Sequence, residues 1–333
     1  YNKDVLKLFA RFGAPEEILY LNKPHVGSDK LFFVLQKIRK YIENRGGKYL
    51  FNTVFSGFKA ENGHLEGIYI KNAVSGEEDF LKTEYVVAAL GHSSRDTFYM
   101  LDKGGVKMVP REFAVGVRIE HLSSEISAAQ YGKFARMLPA ADYKIVSHAH
   151  ERTVFTFCMC PGGYVVNASS EPERLAVNGM SYRGRDGANS NSAIIVTVTP
   201  EDYGGTGPLA GIAFQRRLEE KAYEIGAGTV PVERYGAYRQ AVLARNSNQD
   251  GSCSQDALGM AGRENTLSIA EIETDHPAFS PAIKGQWRMA AVHDILPDAL
   301  NESLVEGIDL IGQSMKGFAD ANAFVSGVES RSS

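Results

Sequence analysis

The sequence predicts an α/β fold, part of a parallel sheet with its helices, interrupted by a second and mostly β block. Three observations carry this. A helix, a strand and a hairpin lead into the apolar run Tyr85-Val86-Val87-Ala88-Ala89-Leu90-Gly91, the pattern of a strand covered on both faces. From about Arg111 the texture changes to short strands between glycine-rich loops. The chain has 333 residues, 44% of them apolar, so it can bury on the order of 75% of its unfolded surface and hold more than one domain.

The elements follow in order. Val5, Leu6, Leu8, Phe9 and Phe12 have a helical period. Ser28-Asp29 opens a second helix through Leu31, Val34, Leu35, Ile38 and Ile42, and Gly46-Gly47 ends it. A strand is expected at 49–55, a turn at Asn62-Gly63, a second strand at 65–70, and another turn at Ser75-Gly76 before the apolar run. In the second block, residues 113–119, 144–147, 153–158, 164–167 and 194–199 are expected strands. A strong helix spans 208–225, a polar loop 245–265, a last helix 297–318, and a terminal strand 323–328. Neither end resembles a natural terminus, and the expectation is a piece of a longer protein.

Composition excludes several classes. Thirty-six Lys and Arg against forty Asp and Glu leave a net charge of −4, which argues against nucleic acid as the main partner. The longest wholly apolar run, Val86 to Leu90, is far short of the roughly 20 residues a membrane helix needs. Three cysteines, Cys158, Cys160 and Cys253, make no disulfide framework, and without a charged-then-apolar leader the expected compartment is the cytoplasm.

Five stretches carry candidate chemistry. Gly204 to Gly211 opens a helix, but its spacing departs from a dinucleotide fingerprint, so it is either a phosphate cradle or a helix-entry loop. In Cys158-Met159-Cys160-Pro161-Gly162-Gly163 the two thiols are half of a metal site with no second pair, or small buried apolar groups. They are alternatively thiols beside a redox cofactor, on a loop whose glycines let the backbone approach a ring. Ala89-Leu90-Gly91-His92-Ser93-Ser94 places polar groups at a strand's carboxyl end, where open α/β sheets bind ligands, or is a capped turn. His25 precedes a helix start whose N–H groups suit an anion, or it is structural. Arg118 and Glu120 share one face of the strand Val117 to His121, as a surface pair or as a polar anchor in a cleft wall.

The ordered motifs KPHVGSDKL, VVAALGHSSRDTFYML, EFAVGVRIEH, TFCMCPGGYVVNASSE, RDGANSNSAIIVTV and GVESRSS resemble a bacterial family of FAD-dependent dehydrogenases in the glutathione-reductase-like flavoprotein group. The resemblance runs from about residue 10 to the end. It implies a partial FAD/NAD(P)-binding, Rossmann-like domain at 1–110, an inserted substrate or lid domain at 111–283, and a return to the FAD-binding domain at 284–333. It implies cofactor contacts at Val54, Ala89, Leu90 and Gly91, and the residue patterns above add His92, Ser93 and the loop Pro161, Gly162, Gly163 as candidate cofactor contacts. The family's adenine-binding glycine fingerprint and its last flavin segment lie outside this sequence, so this chain by itself is not expected to retain FAD.

The expected activity is flavin-mediated electron or hydride transfer with a nicotinamide cofactor, NAD(P)H, or a small organic substrate. His25, Arg118, His121 and Cys158 are the candidate catalytic residues. The rival readings are a flavoprotein-derived module that binds without turnover, and a flavin-dependent enzyme acting on tRNA, against which the charge weighs. No metal is expected.

Overall fold

The computed structural model describes residues 2–91, 93–249 and 279–331. It divides into two compact units, Tyr1–Glu112 with Thr199–Phe214, and Phe113–Val198 with Gln215–Ser332. The break at Glu112 and Phe113 lies beside the boundary expected at 110. The expected return at 284 is corrected, because residues 284–332 stay with 113–198.

The first unit begins with α1 (Asn2–Arg11) and α2 (Ser28–Glu43), which meet over a small core of Phe12, Ala14, Ile18 and Val34 flanked by Phe9, Val26, Ile38 and Tyr41. A three-stranded antiparallel meander follows: β1 (Thr53–Glu61), β2 (His64–Asn72) and β3 (Glu78–Lys82). Asn62 and Gly63 both take positive φ between Glu61 and His64, the two-residue turn that matches strand twist. Asn72 Oδ1 accepts the N–H groups of Val74 and Ser75 and shapes the next turn. The helix α3 (Arg95–Lys103) closes this run.

Tyr85 to Gly91 is not the expected buried strand. It has no strand partner among the described residues, and Tyr85 and Val87 are 86% and 91% exposed. An all-apolar strand needs neighbours on its edges and cover on its faces. The first unit supplies neither to it. The apolar period of α2 is likewise only partly used: Val34 is buried while Phe32, Phe33 and Leu35 stay exposed.

The second unit is built on a seven-stranded sheet of order β12-β10-β13-β4-β9-β6-β5. Its strands are β4 (Phe113–Leu122), β5 (Val146–Ala149), β6 (Arg152–Cys160), β9 (Asn189–Val198), β10 (Val230–Arg234), β12 (Trp287–Met289) and β13 (Phe324–Glu329). A small sheet of order β11-β7-β8 joins β7 (Tyr164–Asn167), β8 (Val177–Met180) and β11 (Ile283–Lys284). The helices are α4 (Ser123–Tyr131), α5 (Ala210–Ile225), which starts in the first unit's segment, α6 (Tyr235–Gln249) and α7 (Asp298–Ser314). Strand alternation sends Val115, Val117, Ile119, Ile194 and Val196 to one face, all fully buried, and α7 packs there over Val154. Ala114, Ala193 and Ile195 line the other face beside the partly buried Phe155 and Phe157.

The terminal strand β13 pairs with β10 and β4, with Phe324 opposite Glu120 and Ser326 opposite Arg118. The resemblance implies instead that it returns to the FAD-binding domain at 1–110. Six consecutive buried residues explain its place between two strands of the second unit. Of the polar loop expected from Arg245, residues 245–249 are the end of α6; the rest of that stretch and Cys253 lie outside the described residues.

Candidate functional site

The densest polar chemistry lies in the second unit, on the face of the sheet opposite α7. Because β4 is an interior strand, Arg118 and Glu120 are neither a surface pair nor an open wall but fully buried. Arg118 Nε donates to Glu329 Oε2 at 3.0 Å. Nη1 donates to Asn191 Oδ1 at 2.5 Å and to the Cys158 carbonyl at 3.3 Å. Nη2 donates to the same carbonyl at 3.3 Å and to Asn178 Oδ1 at 3.5 Å. One guanidinium thus ties β4 to β13, β9, β6 and β8, the planar fork being able to serve several acceptors at once.

Burial works against the charge on Arg118, and Glu329 with the two nearby thiols more than offsets it, so the guanidinium holds its proton. Burial is the larger effect on Glu329 and pushes its carboxyl up against the pull of Arg118. Glu120 is also raised by burial; its Oε2 accepts from Asn189 Nδ2 at 3.1 Å and from the Ala282 N–H at 2.9 Å. Glu120 Oε1, Asn191 Nδ2 and Ser326 Oγ are buried without a hydrogen-bond partner among the described residues.

Cys158 and Cys160 border this cluster. The ladder between β6 and β9 slips between Phe157 and Cys160, and Cys158 takes φ +43°. A bulge of this kind re-aims side chains. Cys158 is exposed and Cys160 buried, so the two do not behave as a pair of core residues. Cys160 Sγ donates to the Cys158 carbonyl at 3.3 Å. A hydrogen bond from the Cys160 thiol, then the charge of Arg118, lower the Cys158 thiol to about 6 against the cost of burial. The same coupling pushes Cys160 up. Cys160 has one thiol proton and two acceptors on Cys158, the carbonyl and, once ionised, the sulfur. Among the described residues no group of three or more His, Cys, Asp or Glu is placed to hold a metal ion.

Two candidates do not join the cluster. His121 lies on the opposite face of β4 from Arg118, buried against Phe318, and its Nε2 donates to the Phe318 carbonyl at 2.7 Å. Burial lowers it to about 4, so it is neutral with Nδ1 unprotonated, and the cavity it lines with Glu125, Phe279 and Asp320 holds only about 20 Å³, far below the volume of a substrate site. The loop Pro161-Gly162-Gly163 is also buried. A Cβ on Gly162 would stand 1.9 Å from the Arg185 carbonyl, and one on Gly163 would stand 2.5 Å from that of Met180. These glycines make room for the protein's own backbone and not for a ring.

In the first unit, Val54 sits in β1 opposite Lys71, and His25 is half-buried in the loop before α2. Ala89, Leu90, Gly91 and Ser93 are exposed; His92 lies outside the described residues. Gly91 has φ +68° and open space where a Cβ would point. Ser94 Oγ turns back to donate to the Leu90 carbonyl at 3.0 Å and does not cap α3.

Glu329, Asn191, Asn178 and Gly179 were not among the sequence candidates. A Cβ on Gly179 would lie 1.9 Å from Arg118 Nη1 and 2.6 Å from Asn191 Oδ1, so this glycine lets β8 press on the guanidinium. Asn191 stands in the quoted RDGANSNSAIIVTV motif and Glu329 in GVESRSS, which was the available signal.

Residues 112–268 and 267–332 match the family described as FAD-dependent protein, C-terminal domain-like. A Clostridium beijerinckii protein, named Uncharacterized protein, is 38% identical over 335 residues. That alignment covers 99% of this chain and 56% of the relative, so the chain spans about half the length of the curated relative it matches. Among the described residues no helix is long and apolar enough to cross a membrane.

Proposed function

The chain belongs to the FAD-dependent protein, C-terminal domain-like family, and from that premise we propose that it serves an FAD-dependent oxidoreductase of which it forms about half. The observation that carries this reading is the family match across both segments of residues 112–332. Bound FAD would supply two-electron transfer, with NAD(P)H or a small organic substrate as the other partner.

The residues have separate tasks in this reading. Ala89, Leu90 and Gly91 hold the ribose and pyrophosphate, with the start of α3 supplying N–H groups. Tyr85 to Leu90, apolar and uncovered, becomes a sheet strand in the complete FAD-binding domain. The second unit supplies the substrate side, where Arg118 fixes a positive charge and Cys158 presents a thiol.

The test is the visible spectrum of the protein at the full length of its relative. The expected result is a flavin absorbance bleached anaerobically by NADH or NADPH, and lost in Gly91→Val, whose branched side chain cannot take the turn's positive φ. A folded, colourless full-length protein that takes up no FAD would replace this reading with that of a binding module.

A further inference from the structure

We propose that Cys158 and Cys160 form a reversible dithiol–disulfide pair, in which Cys158 attacks a hydroperoxide and Cys160 resolves the product. The inference does not depend on flavin binding, since it rests on groups within the second unit.

The geometry separates the two thiols by role. Cys158 is exposed at a bulge and reachable by a small oxidant, whereas Cys160, two residues on, is buried. The register shift between Phe157 and Cys160 and the left-handed backbone at Cys158 turn the chain back on itself there, so that Cys160 Sγ donates to the Cys158 carbonyl at 3.3 Å and the two residues lie within reach of one another. Arg118 fixes the arrangement. Both its terminal nitrogens donate to the Cys158 carbonyl, and its Nε is held by Glu329. A guanidinium anchored this way is a permanent cation beside the thiol, the setting in which cysteines ionise and react. The left-handed backbone at Cys158, unusual for a residue with a side chain, is held by these same contacts.

The chemistry balances with a hydroperoxide as oxidant. The Cys158 thiolate attacks the terminal peroxide oxygen; the S–O bond forms, the O–O bond breaks, and the departing alkoxide or hydroxide takes a proton from solvent. Cys158 is now a sulfenic acid, oxidised by two electrons. The Cys160 sulfur then attacks it; the S–S bond forms, the S–O bond breaks, and the hydroxyl leaves as water with the Cys160 proton. A bridge across one intervening residue is strained and hence readily reduced by an external thiol, which suits a cycling pair.

The experiment uses the full chain, with Cys253 as an internal reference. One equivalent of hydrogen peroxide is followed by dimedone, which traps sulfenic acid, and by peptide mass analysis. The wild type should lose two hydrogens in the peptide carrying Cys158 and Cys160, and regain them with dithiothreitol. Cys160→Ser should instead carry dimedone on Cys158, and Cys158→Ser neither change. Met159 oxidation adds an oxygen but no dimedone, so it is told apart. Iodoacetamide at pH 6 should modify Cys158 about tenfold faster in the folded chain than in the denatured chain. The proposal is overturned if the wild type carries dimedone without the bridge, if Cys160→Ser carries none, or if folding gives Cys158 no rate advantage.

Discussion

Arg118 Nε donates to Glu329 Oε2 at 3.0 Å, joining two side chains 211 positions apart that are both removed from solvent. A buried pair of this kind contributes little over apolar replacements, but half of it is costly, because the surviving charge has no counterion. Glu329→Ala should therefore cost about 3 kcal/mol or more in urea denaturation. The double variant Arg118→Met with Glu329→Met should recover part of that loss, the remainder coming from Asn191 and the Cys158 carbonyl left without their donor. A Glu329→Ala protein within about 1 kcal/mol of wild type would show that this contact does not hold β13 to β4.

Glu120 gives a pH signature. Burial raises its carboxyl above the ordinary 4.5, and the N–H groups of Ala282 and Asn189 pull it down less strongly. A raised folded value means the fold favours the protonated form. The associated stability is present below the unfolded value and lost as pH rises through the folded one. Glu120→Gln keeps acceptors for Asn189 and Ala282 and has no proton to lose. Its melting temperature should gain on wild type as pH rises above 4.5; a difference independent of pH would refute the assignment.

What could be read in advance follows from how local each feature is. The helix from Ser28, the turn at Asn62-Gly63 and the strand Tyr164 to Asn167 are set by neighbouring residues, and they stand where their patterns put them. Tyr85 to Gly91 shows the limit of composition, since an apolar run states a need for cover without saying what provides it. One partner of β13, the strand β4, lies some 200 residues away and is chosen by tertiary packing. Strand β10 was hidden by Pro231, a residue that argues against an interior strand. In the site, alternation along β4 placed Arg118 and Glu120 together, but Asn178, Asn191 and Glu329 reach Arg118 only through the completed sheets.

His121 makes the opposite pH prediction. Burial lowers it from 6.5 to about 4, with the Phe318 carbonyl opposing that shift. A depressed base contributes stability that is present above its unfolded value and lost as pH falls toward the folded one. A fall from 6.5 to about 4 corresponds to about 3 kcal/mol lost over that pH range. His121→Gln retains a donor toward Phe318 without a titrating ring, so its urea midpoint should fall less than that of wild type over this range. Parallel pH profiles would remove His121 from the acid response.

Gly179 tests whether the packing around Arg118, and not its charge alone, maintains the site. A methyl group there would meet Arg118 Nη1 at 1.9 Å, Cζ at 2.6 Å and Asn191 Oδ1 at 2.6 Å. A flexible surface arginine would swing aside, but this one is fully buried and held by Glu329, Asn191 and the Cys158 carbonyl. The strain must go into moving β8 or breaking those bonds, a cost of about 1–3 kcal/mol for one added methyl. Gly207, with open space around its Cβ direction, is the control, and Gly207→Ala should stay within about 0.5 kcal/mol of wild type. Because the displaced guanidinium is also the cation beside Cys158, Gly179→Ala should slow iodoacetamide modification of Cys158 at pH 6 while Gly207→Ala leaves it unchanged. Equal stability and equal thiol reactivity in the two variants would mean that β8 does not press on Arg118 in solution.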